Sequence, residues 1–175
     1  MAQFEADFIW GAATSAYQIE GAVDSDGRSD SNWDSFCRKP GAIRDYSSGA
    51  EACQHYIHWQ DDIRLMAEIG LEAYRFSIAW SRILPEGFGN LNQKGLDFYD
   101  RLIDGLLKEG IQPYITLFHW DLPQVLEEAG GWRNPDIALW FGEYAGILSE
   151  HFSDRVSHWF TLNEPQCFIG LGYYA

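Results

Sequence analysis

Two hydrophobic periods alternate along the chain. Residues 8–14, 73–78, 112–118 and 158–162 are short runs rich in β-branched and aromatic side chains, and they predict strands. Residues 51–69, 92–109 and 134–152 carry apolar side chains at three- and four-residue steps, and they predict helices with one apolar face. In the first helix that face is Tyr56, Trp59, Ile63, Met66 and Ala67, with Asp61, Asp62, Arg64 and Glu68 solvated. In the second it is Leu96, Tyr99, Leu102, Ile103, Leu106 and Leu107, with Gly110 as a stop. The third follows Asn134-Pro135, an N-cap residue with proline in the first turn.

A unit repeats within this pattern. Glu68-Ile69-Gly70 leads into the second strand and Lys108-Glu109-Gly110 into the third, a helix–glycine–strand step recurring after about 40 residues. Strands alternating with helices imply an α/β fold with parallel pairing through right-handed crossovers. The same units build open doubly wound sheets and closed barrels, and periodicity does not choose between them. Residues 16–50 form a long polar connection, and long connections in compact domains are commonly functional. No linker or low-complexity tract divides residues 1–175, so one domain is expected.

Composition narrows the partners. The chain has 12 basic and 26 acidic residues, a net charge of -14, which disfavours nucleic acid and anionic lipid surfaces. The opening MAQFEADF has no basic region leading into an apolar core, and no apolar run approaches the roughly 18 residues of a membrane span, so a soluble, cytoplasmic chain is expected. The three cysteines, Cys37, Cys53 and Cys167, form no CxxC pair and read as reduced thiols. His55 and His58 lie three residues apart with no carboxylate-rich site to complete a metal sphere, and no metal is expected. No GxGxxG follows the first strand and no phosphate-cradling GxxxxGK occurs, so no cofactor is expected either.

The chemistry gathers where strands end, which is where barrels of parallel strands place catalysis. Thr161-Leu162-Asn163-Glu164-Pro165 closes the fourth strand with a carboxamide and a carboxylate. A glutamate among apolar and aromatic neighbours is suited to act as a general acid. Gln18 follows the first strand, Arg75 and Trp80 belong to the second, and His119-Trp120 follow the third. Hydrogen-bonding groups interleaved with flat rings are what a sugar requires, because hydroxyls need directional partners while C–H faces pack on rings. Trp10, Trp33 and Trp80 read as core or pocket wall rather than direct sugar contacts.

FIWGAATSAYQIEGA, YRFSIAWSRILPEG, ITLFHWDLPQ, GGW and TLNEP together, in this order, resemble family 1 glycoside hydrolases of the β-glucosidase type. The resemblance spans essentially the whole chain and implies half of a (β/α)8 barrel, four parallel strands with three helices. It implies that Glu164 is the catalytic acid/base. Gln18, His119 and Asn163, with Trp120 beside them, would bind the hydroxyls of a β-glucoside or oligosaccharide, and Arg75 would lie near the nucleophile position. Phe168 and Tyr173 are candidates for an aglycone entrance. A glutamate at 164 disfavours the thioglucosidase branch, whose members carry glutamine there, while 6-phospho-β-glycosidase and β-galactosidase specificities stay open.

The family's nucleophile lies in a Thr/Ile-Glu-Asn-Gly-type motif on the seventh strand, and no such motif occurs in this sequence. Retention needs two carboxyl groups roughly 5–5.5 Å apart. Asp121 and Glu20 are the nearest motif-borne carboxylates to Glu164, and neither matches the nucleophile. A complete barrel takes about 250 residues and eight strands. The expectation is a hydrolase fragment inactive by itself, its open edges favouring self-association or pairing with the missing C-terminal half. The alternative is a non-catalytic half-barrel serving as a sugar-binding, split-enzyme or assembly module.

Overall fold

The computed structural model describes residues 4–174. Its single sheet has four parallel strands in sequential order, β1 (Gly11–Ala13), β2 (Ala73–Ser77), β3 (Gln112–Phe118) and β4 (His158–Leu162). Eight helices intervene or follow: α1 (Ala16–Ile19), α2 (Asn32–Cys37), α3 (His55–Glu68), α4 (Trp80–Ile83), α5 (Gln93–Lys108), α6 (Gln124–Glu128), α7 (Ile137–Phe152) and α8 (Pro165–Tyr173). The three long ones, α3, α5 and α7, are the crossovers expected from the sequence.

The repeated glycine step has a local cause. Gly70 and Gly110 sit at φ of +77° and +75°, the left-handed region that glycine enters without a Cβ penalty. In each turn the glycine N–H and the next N–H bond back into the last helical turn: Gly70 to Ala67 O and Leu71 to Met66 O, Gly110 to Leu107 O and Ile111 to Leu106 O. These are Schellman closures, and they aim the chain directly into β2 and β3.

Register then separates two faces of the sheet. Arg75 pairs with Tyr114, which pairs with His158; Ser77 pairs with Thr116, which pairs with Phe160. Because strand side chains alternate, these residues share the inner face, and Tyr74, Phe76, Ile115 and Leu117 share the outer one. The outer set is buried beneath the helices, joined by Leu96, Phe98, Tyr99, Leu102 and Ile103 of α5 and Tyr144, Leu148 and Phe152 of α7. On the inner face Tyr114 stacks on His158 at 4.1 Å, and the Arg75 guanidinium lies 4.6 Å over Phe160.

Several boundaries differ from the sequence reading. The first strand keeps only Gly11–Ala13 of the expected 8–14, because the Glu72 carboxylate takes the Trp10 N–H at 2.8 Å and residues 5–8 close a turn. Trp10 is consequently exposed, in an aromatic cluster with Phe4 and Phe8 rather than in the core. The first long helix starts at His55 rather than 51, since Gln54 adopts φ of +56°. Asp136 rather than Asn134 precedes α7; the Asn134 Oδ1 accepts from the Asp136 N–H in a turn before the helix. Within α5, Leu107 points outward and Phe98 inward.

The 16–50 connection contains structure of its own. Ser31 caps α2 in a reciprocal box with Asp34, whose carboxylate also accepts from Arg28 at 2.7 Å. Asn32 donates to Leu122 O, and Gln124 donates to Asp30 O, fastening the segment to the chain after β3. Trp80 is core, its indole N–H donating to Gly87 O at 2.8 Å. No helix among the described residues is long and apolar enough to cross a membrane.

Candidate active site

The polar residues anticipated after β1, β3 and β4 are held by backbone at the same end of the sheet, whereas Trp80 is core and Arg75 lies within β2. After β1, Thr14 donates to Arg75 O and Ala16 N–H donates to Ser77 Oγ at 2.7 Å, which turns the chain into α1 and projects Gln18 outward. After β4, Asn163 N–H donates to Phe118 O at 2.9 Å, bringing the Asn163-Glu164 pair beside His119-Trp120. Gln18, His119 and Trp120 line one cleft of about 340 Å³ with Tyr17, Trp33 and Gly49.

Asn163 is the hub. Its Oδ1 accepts from an Arg75 terminal nitrogen at 2.8 Å, its main-chain oxygen accepts from the Trp120 indole at 2.9 Å, and its Nδ2 faces His119 Nε2 at 3.2 Å. Because Arg75 can only donate, the carboxamide orientation is fixed and Nδ2 is the donor toward His119. Nε2 therefore accepts, and the imidazole proton resides on Nδ1. That buried Nδ1 has no protein partner among the described residues. Burial, then the Arg75 charge, lowers the His119 pKa, with the Glu164 charge pulling the other way. The ring is neutral at pH 7.

Arg75 sits in the middle of β2, below the strand end, and reaches upward. Its Nε donates to Thr116 Oγ1 at 2.8 Å and one terminal nitrogen serves Asn163. The other terminal nitrogen has no acceptor among the described residues, leaving a donor directed to the inner face.

Trp120 and Glu164 both adopt left-handed backbone, φ of +80° and +47°. Such conformations cost about 1–3 kcal/mol for a non-glycine residue and persist where surrounding contacts enforce them, commonly at functional sites. Glu164 immediately precedes Pro165 at the start of α8. Its side chain is exposed, so the apolar surroundings expected of an acid are not supplied by the described residues.

Glu20 and Asp121 are directed elsewhere. Glu20 is buried between Arg82 Nε at 2.7 Å and the Tyr99 hydroxyl at 2.6 Å, and Asp121 is only 1% exposed. Neither lines the cleft, so neither supplies a second carboxylate to it. His55 pairs with Asp62 at 2.6 Å rather than with His58, and among the described residues no three His, Cys, Asp or Glu side chains group as a metal site.

A second cleft of about 500 Å³ adjoins the first across Trp33 and Trp120 and is walled by Phe118, Trp132, Phe168 and Tyr173. Phe168 and Tyr173, the candidates for an aglycone entrance, both line this second cleft. Trp132 and Phe118 escaped the sequence reading although GGW had been singled out, and Tyr17 escaped it although it adjoins Gln18. Tyr17 donates to Cys37 Sγ and accepts from Gly49 N–H, which shapes the wall of the smaller cleft.

The sequence profile of Glycosyl hydrolase family 1 matches residues 1–175. The chain belongs to this family. It is 54% identical over 173 residues to a 1,4-beta-D-glucan glucohydrolase of Thermotoga neapolitana, covering 99% of this chain and 41% of that protein. It is 53% identical over 171 residues to a coniferin beta-glucosidase of Pinus contorta, covering 97% of this chain and 33% of that one. In structure it superposes on the family 1 β-glucosidase of Thermotoga maritima with a TM-score of 0.95 at 51% identity, over 97% of this chain and 38% of that chain. The Thermotoga maritima enzyme has been solved with castanospermine and with cyclophellitol. This family 1 chain therefore spans about 40% of the length of these two Thermotoga proteins and matches part of a family 1 barrel.

Proposed function

We propose that residues 1–175 form the N-terminal half-barrel of a retaining β-glucosidase catalytic domain, and that turnover of β-glucosides or related oligosaccharides requires a second segment carrying the nucleophile. The observation that carries this reading is the Asn163 hub, which ties Arg75, His119 and Trp120 together beside Glu164. Gln18 and His119, which line the smaller cleft, would bind sugar hydroxyls there, with the Trp120 ring beside them and the second N–H of the Asn163 amide, next to His119, adding a donor at its edge. The larger aromatic cleft would take the leaving group.

In the first step Glu164 gives its proton to the glycosidic oxygen as the C–O bond breaks, and the carboxylate of the closing segment bonds to the anomeric carbon. In the second, ionised Glu164 takes a proton from water while the water oxygen attacks that carbon and the nucleophile leaves. The Arg75 terminal nitrogen without an acceptor among the described residues would face the incoming nucleophile, and its charge would keep that carboxylate ionised.

A second reading has its own support: Glu164 is exposed and the smaller cleft contains no carboxylate, so the chain alone would be a sugar-binding half-barrel. Hydrolysis of p-nitrophenyl β-glucoside separates the two. The chain alone is expected to be inactive and its mixture with the complementary segment of a close relative active. Activity of the isolated chain would overturn the requirement for a second segment, and an inactive mixture that forms the complex would favour the sugar-binding reading.

A further inference from the structure

Behind the His119-Trp120 turn lies a small polar space of about 10 Å³, bordered by Ala16, Glu20, Gly21, Arg28, Arg82 and Asp121. It adjoins the smaller cleft across Tyr17 and Gly49. Asp121 is 1% exposed, and neither of its carboxyl oxygens has a hydrogen-bond partner in the protein among the described residues. The neighbouring charges are already paired. Arg82 Nε donates to Glu20 and its terminal nitrogen to Gly21 O at 2.7 Å, Tyr99 donates to the second Glu20 oxygen, and Arg28 donates to Asp34. A buried carboxyl left without a partner is costly, by about 1–3 kcal/mol or more.

Size and charge select what can meet Asp121. One water needs at least about 10–15 Å³ of such space and two to four polar partners. The space therefore fits a single water and neither a hydrated ion nor a sugar group. The Arg28 and Arg82 guanidinium groups on its border disfavour a bare cation.

We propose that this space binds one structural water bridging Asp121 to Glu20 or Gly21, and that the bridge makes Asp121 a positioning residue for Trp120. The water-binding part stands independently of the catalytic reading; the consequence for sugar binding rests on it. Trp120 precedes Asp121 in a left-handed conformation; its carbonyl accepts from Leu122 N–H within the same turn, and its indole donates to Asn163 O, a long-range anchor. The bridge adds a further long-range anchor, linking the turn to the segment that carries Gln18. Burial, and secondarily the Glu20 charge, push the Asp121 carboxyl well above the usual carboxylate range. Whether the carboxyl accepts from the water or donates to it, the water can donate onward to the Glu20 carboxylate or the Gly21 carbonyl.

The test combines a high-resolution crystal structure of the 175-residue chain with ¹⁵N NMR of the Trp120 indole, in the parent and in Asp121→Asn and Asp121→Leu. One ordered water within hydrogen-bonding distance of Asp121 and of Glu20 or Gly21 O is expected. Asn can still donate and accept, so D121N should keep the water and leave indole exchange with solvent within about twofold. Leu cannot, and D121L should speed exchange by about tenfold, the effect of losing one net hydrogen bond. Absence of that water from clear density, or unchanged indole exchange in D121L, overturns the proposal. If D121L does not fold, D121N decides: loss of the water with the indole unchanged also overturns it.

Discussion

The two faces of the sheet solve different problems. On the outer face Phe76 is 3% exposed and packs with Tyr74 and Tyr99, whereas Phe160 on the inner face is 43% exposed and touches the Arg75 guanidinium. The outer side chains are apolar and mutually buried, and their energy lies in excluded water and close packing. The inner face keeps Arg75, Thr116 and Asn163 in hydrogen bonds that fix direction. One side makes the fold stable, and the other, in the proposed function, would aim donors at a ligand.

That contrast breaks first at the largest packing effects. Phe76→Ala should destabilise the chain by about 3–5 kcal/mol and Phe160→Ala by about 1 kcal/mol, read from urea midpoints at constant m. Equal losses would mean that the inner face is also core. Next in size is the cap that orders the long connection: Ser31→Ala should cost about 1 kcal/mol, measured the same way. It should also loosen the wall formed by Trp33.

A smaller effect sharpens the electrostatic side. His119 has a folded-state pKa below its ordinary value of 6.5, so the unfolded chain takes up its proton first as pH falls. The His119 contribution to stability should be intact above pH 6.5 and decline as pH drops through that value toward the lower folded pKa. Urea midpoints of the parent and His119→Gln across that window should therefore converge with acidification. Parallel curves would contradict the burial of a neutral ring.

The same contrast explains what could be read from sequence. The four parallel strands and three long helices were legible because each bears a repeating apolar period, and Gly70 and Gly110 marked the helix stops. Residues 16–50 were not: α1 is four residues and α2 six, too short to show a period, and although Ser31 and Asp34 cap α2 locally, both helices are held in place by nonlocal partners such as Arg82 to Glu20 and Asn32 to Leu122. Leu107 was misplaced and Phe98 passed over because helix phase alone does not reveal where α3 and α4 meet α5. In the site, residue type and motif pointed to Gln18, His119, Trp120, Asn163 and Glu164. The Asn163 hub depends on side-chain direction, and Asp121 gave no sign of its buried, unpartnered state.

The most direct test of the central claim uses the chain complexed with its complementary segment and varies the leaving group. Glu164→Ala should slow formation of the glycosyl-enzyme from an alkyl β-glucoside by about 10²–10⁴-fold, because that oxygen departs only when protonated. Dinitrophenyl β-glucoside, whose leaving oxygen needs no proton, should form the intermediate at nearly the parent rate. Equal losses for both substrates would contradict the assignment of Glu164 as the acid and, with it, the account of this face as half of a catalytic site.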